Sequence, residues 1–287
     1  ILISYPLARR VVKPIRELAA ATHDIASGRY ATRISHLPAD EMGQLGRDFN
    51  SMALTLEKNE KERREWIADI SHELRTPVAV LQGEIESLLD GVHPMTPEAI
   101  HSLHSETLRL KSLIDDLYQL SLSDLNALNY QKEHLDPMDG LRDSMESFSS
   151  EFDRKNISVT LECPDAPGAT VFADGERLGQ LFRNLLENSL RYTDAGGELR
   201  IAATARGGFL ALEFMDSAPG VSTGDRERLF DRFFRVEGSR NRASGGAGLG
   251  LTICKKIVEA HEGRISAHES PLGGLLIRIL LPISKGG

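Results

Sequence analysis

Apolar residues recur at three- and four-residue spacing at Met42, Leu45, Phe49, Met52 and Leu56, and the same spacing carried onward reaches Trp66 and Ile70. A seam of that length predicts one long helix, and a helix with a single narrow stripe cannot bury it alone. Inside the run stands I-S-H-E-L-R-T-P, residues 70–77. His72 falls two residues off the seam, so it is predicted to face outward. A neutral imidazole is able to act as a nucleophile, helped if Glu73 accepts its other ring proton. Pro77 has no backbone N–H and frees the carbonyl of Glu73, so a bend is expected just past His72. A solitary histidine on a helix is ordinarily a solvated surface residue. Only the remainder of the chain gives this one more weight.

The 287 residues suffice for two domains, and 26 % charged with 6 % aromatic residues suits elongated helices plus one ordinary core. A net charge of -8, with no stripe of Lys and Arg interleaved with aromatics, argues against a nucleic-acid surface. Cys163 and Cys254 lack metal-ligand spacing and read as reduced, buried cytoplasmic thiols. Ile1, Leu2, Ile3 and Tyr5, followed by Arg9, Arg10 and Lys13, look like the end of a membrane helix with a cytoplasmic basic flank. A span needs about 20 apolar residues, so this stretch is too short to cross a bilayer.

Ile15, Leu18, Thr22 and Ile25 predict a short amphipathic helix from Pro14 to the stop at Gly28. An irregular linker with Ile34 and Leu37 leads to the long helix, opened by Asp40 and Glu41. Two such helices bury their seams best against a second copy, in a parallel dimeric bundle. Near residues 58–64 the seam positions become Asn59 and Arg63, which weakens packing and marks a candidate mechanical switch. The helix bearing His72 continues through Val78, Leu81, Ile85 and Leu88 until Asp90, Gly91 and Pro94. A partner helix follows with the seam Ile100, Leu103, Thr107, Leu110, Ile114 and Leu117. Two antiparallel helices make a hairpin, and two hairpins a four-helix bundle. Residues 121–139 read as a linker. Beyond it, strands are expected at 157–162, 198–205, 209–215, 264–268 and 275–281, and helices at about 140–154, 175–192, 222–234 and 248–262. One sheet covered on one face by helices, an α/β sandwich, accounts for them.

In L-F-R-N-L-L-E-N-S-L-R-Y-T, Asn184 and Asn188 are four apart on one helical face, and Arg191 lies a turn on. Amide oxygens suit Mg²⁺ already bridged by phosphates, although Asn also occurs on solvated faces. Gly245, Gly246, Gly248 and Gly250 precede an apolar helical pattern at Leu251, Ile253, Ile257 and Val258. Glycines let a backbone approach phosphate, and the helix that follows offers unpaired N–H groups. With Arg235, Arg240 and Arg242 before them, they fit a mobile lid over a polyphosphate. Asp216 ends an apolar strand and can either read an exocyclic amine at a pocket floor or merely start a turn.

Residues 69–77, 184–193, 216–220, 230–233 and 245–251 occur in the order found in transmembrane sensor histidine kinases of two-component signalling, and the chain resembles that family over almost its whole length. The resemblance implies the end of a transmembrane helix at 1–8, a HAMP relay at 9–59, a dimerisation and phosphotransfer domain at 60–125 and a GHKL (Bergerat) ATP-binding α/β sandwich at 135–285. It implies that His72 receives the γ-phosphoryl group of ATP with Glu73 as base, and that Thr76, in the pattern E-x-x-T, supports dephosphorylation of a partner response regulator. Asn184 and Asn188 would hold Mg²⁺, and Asp216 would read adenine. Arg191, Tyr192, Gly220, Arg235, Gly246, Gly248, Leu249 and Gly250 would complete the nucleotide site. A homodimer, a cognate response regulator and a bacterial inner-membrane setting are implied as well, and no nucleic acid. Ala218 replaces the first glycine of the family's D-x-G-x-G, which implies a slightly stiffer loop by the adenine. ATP-hydrolysing relatives of this fold use a Glu one turn before the metal-binding Asn to activate water. Here that position is Asn184, whose amide cannot take a proton. A scaffold that bound ATP only structurally would have no use for His72 beside Glu73.

Overall fold

The computed structural model describes residues 12–36, 38–124, 130–165, 168–236 and 247–284. The expected membrane-helix end at 1–8 lies outside them, as do Gly245, Gly246, Arg240 and Arg242. Among the described residues no helix is long and apolar enough to cross a membrane. The chain divides into two compact units, residues 1–79 and 80–287.

In the first unit, α1 (Lys13–Ala26) packs against the start of α2 (Glu41–Leu89) through Ala21, Ile25, Phe49 and Ala53, with Leu18, Tyr30, Ile34 and Leu56 around them. Asn50 holds the intervening linker in place: its side chain accepts from Ile34 N at 2.8 Å and donates to Ile34 O at 2.9 Å. Arg33 pairs with Glu57. The expected seam is split. Phe49 is buried, but Leu45 and Met52 are 46 % and 47 % exposed, because a single neighbouring helix covers only one edge of the stripe. At the expected weak junction, Glu60 accepts from Arg63 and Arg64, whose guanidinium groups hold its carboxyl down at about 2. The 49-residue α2 is helical on both sides of Pro77, which is buried.

In the second unit, Thr96 Oγ1 accepts from Ala99 N at 3.3 Å to start α3 (Pro97–Asp124), and Ser102 Oγ donates to Glu84 Oε1 of α2 at 3.0 Å. The inward face of α3 is not quite the expected seam. Leu113, Leu117 and Leu120 are buried, whereas Ile100 and Ile114 are 55 % and 50 % exposed. The cause is the second half of α3, whose Gln119 accepts from Gln180 of α5 (Gly175–Tyr192) and which packs against α7 (Gly250–Ala260).

The sheet runs β2 (Ser158–Asp165), β4 (Glu198–Arg206), β5 (Phe209–Ser217), β7 (Gly273–Pro282), β6 (Arg264–Glu269), with only β2 and β4 parallel. Alternating residues of β4 and β5, among them Leu199, Ile201, Leu210 and Leu212, are fully buried. They belong to the same core as Leu181, Phe182 and Leu185 of α5 and Ile253 and Ile257 of α7, and α4 (Pro137–Arg154) packs on α5. Two expectations need correction. Residues 121–139 are not one linker, since α3 reaches Asp124 and β1 (Glu133–Leu135) pairs antiparallel with β3 (Val171–Ala173). Residues 222–234 are not one helix: α6 (Thr223–Arg226) is a single turn capped by Ser222. Beyond it, Phe233 N donates to Gly248 O and Phe230 O accepts from the Thr252 hydroxyl, so these backbone groups serve the start of α7 instead of a continued helix.

The strap before β1 is tied down by a buried histidine. His261 Nε2 accepts from Asp174 N at 2.9 Å and Nδ1 faces Ile257 O at 2.7 Å. Burial depresses the His261 pKa, so the neutral ring with Nδ1–H is the species that fits both partners. Gln131 N donates to Asp174 Oδ2, and Lys132 Nζ to Ala260 O.

Candidate active site

In the first unit His72 and Thr76 are exposed and Glu73 is half-buried. The outward direction expected of His72 is what the structure has. The Thr76 hydroxyl donates back to His72 O at 3.4 Å, a long bond that leaves its lone pairs open to solvent.

In the second unit, Asp174 caps α5 by accepting from Arg177 N at 3.1 Å. Leu178, Leu181, Phe182, Leu185, Leu186 and Ser189 form the buried face of α5, which leaves Asn184 and Asn188 half-buried on its flank. Asn184 Nδ2 donates to Gly250 O at 3.4 Å, so α5 meets the first residue of α7 through the amide nitrogen rather than its oxygen. Arg191 pairs with Glu187 at 2.8 Å, Tyr192 is 37 % exposed and Arg235 is half-buried. Gly248 has a φ of +73°, and a Cβ there would lie 2.9 Å from the Phe233 carbonyl carbon, so a side chain is excluded on both counts. Leu249 is buried and leads into α7, its carbonyl accepting from Ile253 N.

Asp216 is only 6 % exposed at the end of β5. Its Oδ1 accepts from Leu275 N at 2.5 Å. Burial pushes its carboxyl up to about 7 against the opposing effect of that N–H. The close approach needs Gly274, where a Cβ would stand 2.3 Å from Asp216 Oδ1. Gly220 meets the same stretch of β7, 3.1 Å from Gly273 O as measured from a built Cβ. Ala218 O accepts from Asp194 N, which ties the loop to the end of α5. The sequence pattern points to Asp216 but not to Gly274 or Leu275. A glycine pair opening an apolar strand is the one signal that could have found them.

Among the described residues no trio of His, Cys, Asp and Glu could hold a metal ion. The site offers instead two amides, a buried carboxyl and the N-terminal end of α7.

Three family models cover most of the chain. The HAMP domain matches residues 7–58, the His Kinase A (phospho-acceptor) domain 62–126, and the histidine kinase-, DNA gyrase B- and HSP90-like ATPase 173–285. The signal transduction histidine-protein kinase BaeS of Escherichia coli K12 is 51 % identical over 99 % of this chain. The chain belongs to the histidine kinase family. The sensor histidine kinase CpxA of the same strain is 32 % identical over 99 % of the chain. This histidine kinase chain spans 60 % and 62 % of the lengths of those two relatives. The histidine kinase AdeS of Acinetobacter baumannii superposes with a TM-score of 0.64 at 27 % identity, covering 75 % of this chain and 98 % of that one.

Proposed function

We propose that this chain is the cytoplasmic signalling region of an inner-membrane sensor kinase, which transfers the γ-phosphoryl group of ATP to His72 and then to an aspartate of a response regulator. The observation that carries the reading is the presence, in one chain, of an exposed His72, of a buried carboxyl at Asp216 and of Asn184 held against the first residue of α7. Residues 9–59 act as the relay, 60–125 as the dimerisation and phosphotransfer domain and 135–285 as the ATP-binding domain.

In this reading the unprotonated ring nitrogen of His72 forms the P–N bond while the bond from the γ-phosphorus to the bridging oxygen breaks and ADP leaves. Glu73 takes the hydrogen bond of the other ring N–H as positive charge grows on the imidazole. Asp216 accepts from the adenine amine, and Arg191, Tyr192, Gly220, Arg235, Gly246, Gly248, Leu249 and Gly250 surround the nucleotide. Bound together with ATP, Mg²⁺ would supply positive charge against the phosphates. The amide oxygens of Asn184 and Asn188 would hold it, since Mg²⁺ prefers oxygen and takes few protein ligands when phosphates supply the rest. Thr76 orients a water during removal of phosphate from the regulator, its hydroxyl being too weak a base to deprotonate it. Incubation with γ-labelled ATP tests the whole reading: acid-labile label on the protein is expected, and acid-stable label or none refutes it.

The pKa of Asp216 makes nucleotide recognition pH-dependent. The carboxylate accepts more strongly than the acid, so affinity falls as pH drops through about 7. Adenosine, without titrating phosphates, is expected to bind about tenfold more weakly at pH 6 than at pH 8. Calorimetry at the two values checks it, with Asp216→Asn giving a flat, weak profile.

The exposed Ile100 and Ile114 fit a second copy of the hairpin. Replacing both by Glu is expected to convert a dimer to monomer in sedimentation while nucleotide binding persists. Each side chain is already about half-buried, so covering the rest is worth about 0.75–1.5 kcal/mol apiece, about 3–6 kcal/mol over the four in a dimer, and the dimer constant weakens by about a hundredfold or more. A dimeric double variant would place the interface elsewhere.

A further inference from the structure

The carbonyls in the last turn of a helix have no partner further along it, and they form the negative pole of its dipole. At the end of α5, one side chain answers two of them and also the carbonyl of the C-cap residue, Thr193. Lys155 Nζ donates to Leu190 O at 2.7 Å, to Arg191 O at 3.3 Å and to Thr193 O at 2.6 Å. An ammonium group has three N–H bonds, and each has a carbonyl here. Lys155 is itself fixed. It caps α4, and its own carbonyl accepts from Gly196 N at 3.2 Å, in the turn that leads to β4. The clamp therefore joins the end of α4, the last turn of α5 and the approach to the sheet.

That last turn carries Arg191 and directly follows Asn188, both of which the nucleotide-site reading places at a polyphosphate, and the inference rests on that reading. A helix C-terminus holds about half a negative charge, so left uncapped it would repel a polyanion beside it. Arg191 does not supply the compensation in this arrangement, because its guanidinium is paired with Glu187. We propose that Lys155 is a positioning residue for the triphosphate. It neutralises the C-terminal pole of α5 and fixes the backbone of residues 190–193, so that the helix can present its polar flank to the phosphates. It touches neither substrate nor reacting atoms in this role.

The test compares two ligands on the same chain, since charge neutralisation matters for phosphates and not for a neutral nucleoside. With Mg²⁺ present, Lys155→Met is expected to weaken ATP binding about tenfold, within the range that charges at helix ends produce, and to change adenosine binding by less than twofold. Lys155→Arg, which keeps the charge and the donors, is expected to restore ATP affinity to within twofold of wild type. Lys155→Gln keeps N–H donors without charge. It is expected to follow Met and decides the matter should the Met chain fail to give a cooperative thermal melt. Equal losses for ATP and adenosine would reduce Lys155 to a structural clamp and overturn the proposal, as would an unchanged ATP affinity in both uncharged variants. A wild-type chain that binds neither ligand would refute the nucleotide-site reading itself, a result distinct from failure of the Lys155 role.

Discussion

Replacing His72 with Gln is expected to abolish acid-labile labelling from γ-labelled ATP while leaving the ATP dissociation constant within twofold of wild type. A glutamine amide nitrogen has no free lone pair for attack on phosphorus, so the step loses its nucleophile rather than part of its rate. Binding survives because His72 belongs to the first compact unit, whereas Asn184, Asp216 and Gly250 belong to the second. Filter-bound radioactivity and calorimetry on the same preparation read the two properties separately. Acid-labile label persisting on the variant would mean that another histidine accepts the phosphoryl group, and lost ATP binding would mean that the nucleotide site depends on residues of the first unit.

The second large effect concerns Asn188. Its change to Asp adds one negative charge at almost constant size, on the half-buried flank of α5. Two like charges about 4 Å apart repel by on the order of 4 kcal/mol at an effective dielectric of 20, an upper limit that bound Mg²⁺ reduces. Autophosphorylation is expected to fall at least about a hundredfold, equivalent to roughly 2.7 kcal/mol. Single-turnover labelling at saturating ATP checks it. A wild-type rate in Asn188→Asp would remove Asn188 from the metal.

Much of this was legible in the chain because periodicity reports burial directly. The five strands of the main sheet and α5 fall where alternation and helical spacing put them, since each buries one face against the other. Residues 222–234 read as a helix in sequence because their apolar spacing is helical, while the hydrogen bonds that decide the matter come from Gly248 and Thr252, further along the chain. The strands β1 and β3 are three residues each, too short to show a period. Asp216 could be found from its place after an apolar strand, but its pKa is raised by burial, and the close approach of Gly274 and Leu275 comes from the neighbouring strand β7, nearly sixty residues further along the chain. Lys155 had no signal at all. A lysine that caps three carbonyls looks, in sequence, like any surface lysine.

The unbroken course of α2 turns residue count into angle. Within the first unit, 23 positions separate buried Phe49 from exposed His72, and at about 100° per residue the two side chains stand about 140° apart around the axis. That azimuth is a property of chain length, set by no contact that a side-chain replacement could remove. One residue inserted near Asn59 would swing the histidine through about 100°, and seven would return it to within about 20° of where it began. The charged stretch of Glu60, Arg63 and Arg64, which packs against little, is where such a change of phase meets least resistance. In this part of the molecule a deletion is a rotation, and the helix works as a dial whose pointer is His72.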